Sequence, residues 1–483
     1  MVSPVRRTMP VLAALVASVI VFVAGLVGAG CGSHEVPSAR AWSEAGYFAG
    51  EAQTAGAATS NDVSRTALGR VLSNLAPERW MDVLDGKRVF ERTWRAGGDA
   101  GTASQGRDRA TGLGPLYNAD SCIGCHFLDG RGGSLSEVVP DVRLLARLAV
   151  GEAGDPTYGR QLSELATNGL ASEGQLVVAY VPRVITLGDG TQLETRRPMY
   201  RWAQPAWGPP DPHVQLSPRM PSALVGLGLL EAIDTADLIA AQDPEDRDHD
   251  GISGRANVVE DAATGRLVIG RFGWKAGQPN IEQQIATALR DDMGLTSWLR
   301  PESACTARQR ACRAQDVAGD VAPEVSRRDL ERLATYVRLL AAPRRRTPEA
   351  PEVRRGRAAF IEAGCASCHT PRQRTGRDVR FPELARQTIF PYSDLLLHDM
   401  GDELADGVRE GEAAGPEWRT PPLWGLGLLP AIHGRIRLLH DGRARSVEEA
   451  VLWHGGEARA ARDHYARLPA VTRGELVRVV ESL

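Results

Sequence analysis

Two short motifs constrain this chain more than any other feature of its sequence. Residues 122–126 read CIGCH and residues 365–369 read CASCH, so both have the pattern C-x-x-C-H. Two thiols one helical turn apart can form thioethers with the vinyl groups of a porphyrin, and the adjacent imidazole can coordinate its iron. A zinc site shared by the four cysteines is the alternative. The pattern predicts two covalently bound haem c groups, held by Cys122, Cys125 and His126 and by Cys365, Cys368 and His369.

The first 30 residues have the layout of a bacterial export signal. Arg6 and Arg7 precede an apolar run over residues 11–27, and small residues stand directly before Cys31. This layout resembles a lipoprotein signal, in which Cys31 is lipidated and becomes the mature N-terminus. The alternatives are a cleaved signal that leaves Cys31 free and an uncleaved membrane anchor. We therefore expect a periplasmic or other extracytoplasmic lipoprotein, attached to the membrane through Cys31.

Composition and cysteine use exclude several classes of protein. The 483 residues include 24% charged and 43% hydrophobic residues, which indicates two or three globular units. Lys and Arg total 57 against 60 Asp and Glu, so we expect no nucleic acid partner. Seven cysteines are few for a disulfide-built scaffold. Cys305 and Cys312 lie outside any C-x-x-C pair, and in an exported chain they predict a local disulfide.

Matching helices open and close the two halves of the chain. GKRVF at 86–90 precedes the first motif and GRAAF at 356–360 precedes the second, which is typical of the opening helix of a cytochrome c domain. Helices with one apolar face are predicted to begin at Ser326 and Thr472. The sequence thus predicts a mainly α fold with two cytochrome c-like haem domains. The expected segments are an export signal (1–30), a flexible tether (31–75), an N-terminal haem domain (76–345) and a C-terminal haem domain (346–483).

A third repeat indicates duplication, and the longer first half indicates insertions. Residues 219–230 and 419–429 share Arg-x-Pro and Gly-Leu-Gly-Leu-Leu. Glycines alone could serve close packing, but duplication also explains the shared Arg-x-Pro. The gap between the opening helix and the motif is much longer in the first half, so that domain carries long insertions. Small β-hairpins are predicted within it, pairing 176–181 with 191–195 and 258–260 with 267–269.

An acidic loop in the first half favours calcium. Asp246, Asp248 and Asp250 alternate along D-x-D-x-D-G, with a glycine where the chain must turn. Asn257 stands where an EF-hand loop ends in Glu, so the other ligands would be carbonyls, water or Asp261. An acidic surface turn is the alternative. We expect a structural calcium site at these three aspartates.

The sequence resembles the di-haem oxidoreductase family labelled "putative thiol oxidoreductases", within the di-haem cytochrome c peroxidase superfamily. The resemblance implies an oxidoreductase with two haem c groups that acts on a small-molecule oxidant or reductant. It also implies a small redox donor protein or a quinone-linked cytochrome as the electron donor. The matching stretches are 113–126, 226–233, 248–254, 395–401 and 453–457, spread over most of residues 80–483.

The resemblance also implies a second axial ligand for the C-terminal haem. In the superfamily this ligand follows a His-Asp-Gly segment and a Glu-Glu-Ala-Val-like helix. Here His-Asp-Gly stands at 440–442 and Glu-Glu-Ala-Val at 448–451, which places His454 in the ligand position. An iron bound by two histidines would be low-spin and closed to substrate. His398 and Met400 are the alternative ligands.

The haem on His126 is expected to be more open, because no equally clear sixth ligand follows it. Glu231 is the candidate for moving a proton of bound peroxide, since it follows the repeated glycine segment where the other half has Pro430. Arg219 is the candidate for binding an anion or a haem propionate. Trp274 is one option for an aromatic side chain between the two irons.

These features together predict an exported, lipid-anchored di-haem c oxidoreductase of the peroxidase type. Electrons would pass from the C-terminal haem to the haem on His126, where peroxide or another substrate reacts. One alternative is a non-enzymatic electron carrier whose sixth ligand comes from His213, Met220 or Met293. Another is an oxidase of a thiol, a metal complex or a protein side chain.

Overall fold

The structure is a computed structural model that describes residues 50–96, 109–132, 144–316, 323–377 and 379–483. All of these residues belong to one compact unit, Ala39–Leu483. The predicted export signal and Cys31 lie outside the described ranges. Within those ranges, every helix is too short or too polar to cross a membrane.

Helices occur throughout the described chain, and most of them are short. Each half has one longer helix near its start and another near its end. In chain order the helices are α1 Trp80–Glu91, α2 Cys122–Cys125, α3 Leu227–Glu231, α4 Thr235–Ala240, α5 Ile281–Met293, α6 Arg310–Gln315, α7 Arg327–Arg338, α8 Pro351–Glu362, α9 Leu429–His433, α10 Val447–Leu452, α11 Arg459–Arg467 and α12 Ala470–Ser482.

Strands pair two by two in the described residues, and only β1 with β2 is parallel. The other pairs are β3 with β5, β4 with β8, β6 with β7, β9 with β10, β11 with β12 and β13 with β14. The strands are β1 Thr93–Ala96, β2 Arg109–Leu113, β3 Leu116–Tyr117, β4 Leu145–Ala149, β5 Leu165–Ala166, β6 Gln175–Thr186, β7 Gln192–Ala203, β8 Gln215–Arg219, β9 Val258–Asp261, β10 Arg266–Ile269, β11 Gln373–Arg374, β12 Thr388–Ile389, β13 Leu397–Asp399 and β14 Glu417–Arg419.

The prediction of a mainly α fold is wrong. Helices account for 32% and strands for 21% of the structure, in many small sheets. The predicted hairpins are present as β6–β7 and β9–β10, but each strand of β6–β7 has 12 residues, far more than the sequence pattern predicts. Other strands, such as β4 and β8, pair across long stretches of chain and leave no local signal. A cytochrome c-like fold for each half stays a prediction.

The opening and closing helices of each half pack backbone to backbone. In the first half, a Cβ atom on Gly86 of α1 would lie 2.2 Å from the carbonyl oxygen of Arg332 on α7. In the second half, a Cβ atom on Gly356 of α8 would lie 2.0 Å from the carbonyl oxygen of Glu475 on α12. Only glycine permits so close an approach. The same glycine contact therefore joins the opening and closing helices of both halves.

The Arg-x-Pro and Gly-Leu-Gly repeats also occupy equivalent positions. Arg219 ends β8 opposite Leu145 of β4, and Arg419 ends β14 opposite Leu397 of β13. The glycine segments that follow lie against the C-terminal ends of α7 and α12. A Cβ atom would lie 2.0 Å from the Arg338 carbonyl oxygen if added to Gly228, and 1.8 Å from the Glu481 carbonyl oxygen if added to Gly427. The sequence repeat therefore corresponds to a structural repeat.

The largest hydrophobic core contains side chains from both halves. Leu229 and Leu340 of the first half belong to it together with Phe360 and Leu476 of the second. The described part of the predicted tether, residues 50–75, contributes Ala58 and other buried side chains to the same core. These residues are therefore part of the folded unit.

The predicted closing helices differ in how they begin. Ser326 caps α7, because its Oγ accepts a hydrogen bond from the Asp329 backbone N–H at 3.0 Å. The predicted start at Thr472 is wrong, since α12 begins at Ala470, directly after Pro469. Pro469 lacks an N–H donor, but the residue before a helix needs none for the helical hydrogen bonds, so the helix can begin directly after it.

Candidate functional site

The thiols of both motifs are free, and they are buried or half-buried. Cys122, Cys125, Cys365 and Cys368 form no disulfide. Burial raises the pKa of Cys122 and that of Cys365 to about 12, so both thiols are protonated at neutral pH. A redox-active C-x-x-C pair needs a thiol of lowered pKa. The environment therefore disfavours a dithiol that exchanges disulfides.

The four motif cysteines do not form a shared zinc site. Within the described ranges, one cluster of potential metal ligands contains a cysteine, namely Cys368 with Asp394 and His398. Neither Cys122 nor Cys125 belongs to it, so the two motifs are separate. Each motif keeps its own histidine, which is the donor set that a haem iron requires.

A cavity lies beside the first motif, and we call it the His126 cavity. Its wall is largely apolar, and side chains from both halves of the chain contribute to it. Trp274 of the first half and Trp424 of the second both line it. An apolar cavity with a few charged groups suits a porphyrin and a small molecule next to it. Its polar and charged lining residues include Arg131, Arg147, Gln161, Arg219, Gln278, Gln284, Asp292, Glu410 and Arg419.

His126 is oriented by the turn that follows α2. Its Nδ1 lies 3.3 Å from the carbonyl oxygen of Gly130, so the N–H of the neutral ring is directed to the backbone. Burial lowers the pKa of His126 to about 4, which keeps the ring neutral. A neutral imidazole with Nδ1 bonded to a carbonyl presents Nε2 to a metal.

Arg219 lies at the His126 cavity, but its charge is already paired. Its guanidinium lies 2.9 Å from an Asp406 carboxylate oxygen and also binds the Glu410 carboxylate. Arg219 is 7% exposed and the Asp406 side chain 3%, so this ion pair is shielded from water, whereas Glu410 is partly exposed. It can shape the charge of the cavity wall, but it does not offer a free cation.

Glu231 is not among the described residues that line the cavity. Its carboxylate lies 2.5 Å from Nε of Arg338 and accepts a hydrogen bond from the Ile281 backbone N–H at 2.8 Å. It therefore joins the start of α5 to the end of α7. The structure does not bring Glu231 together with His126.

Two arginines in the cavity wall form no salt bridge within the described residues. Arg131 lies over the Trp274 ring at 4.9 Å, and its Nε is buried without a hydrogen-bond partner. Arg419 donates to the carbonyl oxygens of Gly273 and Thr420 at 3.0 Å each. Burial lowers the pKa of both arginines to about 10. Such groups suit an anion, and the carboxylates of haem propionates are anions of this kind.

Asp292 and Gln161 are cavity residues that sequence reasoning missed. Gln161 Nε2 donates to Asp292 Oδ1 at 2.6 Å, and burial raises the pKa of Asp292 to about 6. Neither residue belongs to a motif or a repeat, and they come together only through folding. Arg131 was also missed, although its position five residues after His126 is a usable signal.

The three residues that could supply a sixth ligand to the first haem, as the electron-carrier alternative requires, lie in different surroundings. Met220 and Met293 both line the His126 cavity and are 2% and 3% exposed. His213 is exposed and lies outside the described cavity lining. Both methionines therefore lie near the first motif, and His213 does not.

The second motif lies next to His454. His369 Nδ1 lies 3.0 Å from the carbonyl oxygen of Tyr392, and His454 Nδ1 lies 2.8 Å from that of Ala450. Burial lowers the pKa of His369 to about 4, and the nearby His454 lowers it further. Each ring thus has Nε2 available, and His454 is close enough to His369 to lower its pKa.

His398 has neither nitrogen free for a metal. Its Nδ1 lies 2.8 Å from a Glu457 carboxylate oxygen and its Nε2 lies 2.8 Å from one of Asp394. Burial opposes the charged ring, but the Asp394 carboxylate raises the pKa of His398 well above its ordinary value. A protonated imidazole is not an iron ligand. Met400, the other alternative, is half-buried in the same segment.

Aromatic rings extend from the His126 cavity into the second half. The Trp274 Nε1–H donates to the Met220 carbonyl oxygen at 2.8 Å, and its ring centroid lies 6.5 Å from that of His440. His440 stacks on Trp418 of β14 with centroids 3.8 Å apart. Trp274 is thus the first member of a short aromatic series.

Two further predictions concern residues that the structure brings close together. Asp246, Asp248 and Asp250 bring their carboxylate oxygens within 4.8 Å of one another. Cys305 and Cys312 are joined by a disulfide, with their Cα atoms 5.8 Å apart. The predicted disulfide is therefore present.

Comparison with known proteins identifies the family. The family described as "Di-haem oxidoreductase, putative peroxidase" matches residues 163–483, which include the second motif and much of the His126 cavity. A solved structure of hydrazine synthase from Kuenenia stuttgartiensis is 18% identical, with a TM-score of 0.22 over 38% of this chain. The present chain covers 65% of that chain. No curated protein matches the sequence. The match confirms the resemblance seen in the sequence, and the chain belongs to the di-haem oxidoreductase family.

Proposed function

We propose that the protein is an exported di-haem c oxidoreductase of the peroxidase type. The different surroundings of the two motif histidines carry this proposal. His126 lines a cavity that also holds charged and polar side chains, whereas His369 lies beside His454. One iron site would be open to a small molecule, and the other would be closed.

The motif cysteines would hold the two haems through thioethers. Cys122 and Cys125 serve one haem, and Cys365 and Cys368 serve the other. Haem c supplies one-electron redox chemistry when bound. In each motif the histidine next to the second cysteine has Nδ1 at a backbone carbonyl oxygen, which supports this attachment because Nε2 is then left for the iron.

His369 and His454 would close the second site and make it the entry point for electrons. A small redox donor protein or a quinone-linked cytochrome is the proposed donor. Trp274, His440 and Trp418 form the aromatic series that would connect this half to the His126 cavity.

The His126 cavity would receive peroxide or another small oxidant or reductant. Cleavage of peroxide needs a group that takes a proton from one oxygen and returns it to the other. Asp292 lines the cavity and Glu231 does not, so we assign this role to Asp292. Arg131 and Arg419 would hold anionic groups at the cavity wall, and Arg219 would hold Asp406 and Glu410 in place.

A non-enzymatic electron carrier is the second candidate, and one observation favours it. Met220 and Met293 both line the His126 cavity. A thioether sulfur bound to the iron would complete its coordination and exclude substrate.

A single optical experiment separates these two candidates. The purified holoprotein is fully reduced, less than one equivalent of hydrogen peroxide is added, and both haem bands are followed on the millisecond scale. A peroxidase should reoxidise two haems per peroxide rapidly. Slow or absent reoxidation would contradict peroxidase activity and favour the electron carrier.

We also propose a lipid anchor at Cys31 and calcium at Asp246, Asp248 and Asp250. The anchor rests on the signal-like sequence before Cys31. Calcium rests on the three converging carboxylates, which are hard oxygen ligands in a tight loop.

A further inference from the structure

The carbonyl group that binds His369 belongs to a residue with an uncommon backbone conformation. Tyr392 has a φ of 54°, in the left-handed region that bulky residues avoid. Its carbonyl oxygen lies 3.0 Å from His369 Nδ1. A strained residue of this kind persists only where its surroundings hold it, and strained residues cluster at functional sites. The contacts of Tyr392 therefore bear on the orientation of His369.

A buried charge cluster holds the Tyr392 side chain. Glu51 is fully buried, and its carboxylate accepts hydrogen bonds from the Tyr392 hydroxyl and from Arg345. Arg357 donates to the second oxygen of that carboxylate at 2.6 Å. Arg345 also donates to the Tyr392 hydroxyl oxygen at 2.9 Å. Glu51 is thus the carboxylate on which Tyr392 and two guanidinium groups converge.

The backbone around Tyr392 is held on two sides. On one side the Phe390 backbone N–H donates to the Thr54 carbonyl oxygen at 2.7 Å. The segment that contains Glu51 therefore also binds the backbone of residues 390–394, which we call the Tyr392 loop. On the other side, Ser393 N–H donates to the Thr370 carbonyl oxygen at 2.9 Å and Asp394 N–H to that of Cys368 at 3.1 Å. The Tyr392 loop therefore lies between the segment that contains Glu51 and the second motif.

We propose that Glu51 is a positioning residue for the C-terminal haem. Through Tyr392, it fixes the hydrogen bond that His369 Nδ1 makes and so tunes the reduction potential of that haem. A hydrogen bond from the distant nitrogen of a ligand histidine makes the ligand more basic, which favours the oxidised metal. The inference rests on the proposed haem attachment at Cys365 and Cys368.

The test compares Glu51→Gln and Tyr392→Phe with the unaltered holoprotein. Each haem is followed separately by potentiometric titration with electron paramagnetic resonance. Both variants should favour the reduced C-terminal haem at least tenfold, which is a rise of about 59 mV for one electron. The low-spin signal of this haem should shift as well, and the signal of the haem on His126 should not.

Glu173→Gln is the matched control. Glu173 is another buried glutamate, bound to the Ser163 backbone N–H at 2.6 Å, and it contacts neither motif nor the His126 cavity in the described residues. This variant should leave both potentials unchanged. A loss of stability alone therefore cannot produce the expected result.

Other outcomes would overturn the proposal in distinguishable ways. Unchanged potentials at full haem content would show that the cluster serves stability only. A shift in Glu51→Gln without one in Tyr392→Phe would show a through-space effect of the buried charge, which excludes positioning. If Glu51→Gln does not fold, Tyr392→Phe decides alone, because it keeps every charge. Absence of covalent haem from the unaltered protein would instead contradict the proposed function.

Discussion

His369 and His398 show how the surroundings of one residue type decide its chemistry. Burial keeps His369 neutral, with its Nδ1 directed to a carbonyl oxygen, so Nε2 retains its lone pair. His398 lies between the carboxylates of Asp394 and Glu457 and is protonated. His454 shares the first environment, because its Nδ1 faces the Ala450 carbonyl oxygen. The neutral rings are therefore the pair suited to an iron.

Replacement of His454 should open the second haem site. In His454→Ala the ferric haem on His369 should change from low-spin to high-spin, because one axial ligand is lost. His398→Gln is the control and should stay low-spin. Electron paramagnetic resonance of the ferric protein at neutral pH measures both. A high-spin signal in the His398 variant but not in the His454 variant would reverse the ligand assignment.

At the scale of elements, each half depends on a pair of helices whose backbones touch. Gly356 on α8 and Glu475 on α12 form this contact in the second half, and Gly86 and Arg332 form it in the first. α8 ends three residues before Cys365 of the second motif, and α12 packs against α8. The separation of these helices therefore affects where the motif lies.

A methyl group at the contact should separate the helices. Gly356→Ala places Cβ 2.0 Å from a carbonyl oxygen, and we expect it to lower the free energy of unfolding by about 1–3 kcal/mol, as for other overpacked sites. Gly474→Ala on α12 is the matched control, since a Cβ atom there has nothing within 4 Å. It should raise stability by up to about 1 kcal/mol through helix propensity. Urea denaturation measures both, and equal effects of the two variants would contradict the contact.

Local patterns in the sequence predict the motifs, the Ser326 cap and the hairpin positions. Each of these depends on residues a few positions apart. The rest depends on residues that only folding brings together, such as the β4–β8 pair and the contact of Glu51 with Tyr392, which are 341 residues apart. Asp292 enters the His126 cavity in the same way. The fold class was wrong because the β6–β7 hairpin is much longer than its local pattern predicts, and because long-range strand pairs leave no periodic signal.

At the scale of the whole molecule, the acidic loop of the first half is joined to the second half. Ser253, shortly after Asp250, donates to the Glu457 carboxylate from its backbone N–H at 3.2 Å and from its hydroxyl at 2.9 Å. Arg255 pairs with Leu397 of β13 in an antiparallel bridge. An ion bound in this loop would therefore stabilise contacts across the molecule.

Calcium should stabilise the entire folded unit. At a free concentration one hundred times the Kd, a single bound ion raises the unfolding free energy by about 2.7 kcal/mol. Thermal unfolding with added Ca²⁺ and then with a chelator measures this change. Asp248→Asn should weaken the response, whereas Asp237→Asn, an exposed control on α4, should not. A melting temperature that changes with neither added calcium nor chelator would contradict the site.

The buried ion pair of Glu51 and Arg345 also constrains the order in which the contacts of the molecule form. These residues are 294 positions apart, and Arg345 also donates to Ser482 near the other end of the chain. Chains are synthesised from the N-terminus, so the segment with Glu51 exists long before its partners. The complete cluster can form only after Tyr392 and Ser482 have been synthesised. The contacts that hold Tyr392 against the second motif are therefore among the last of the molecule to be completed.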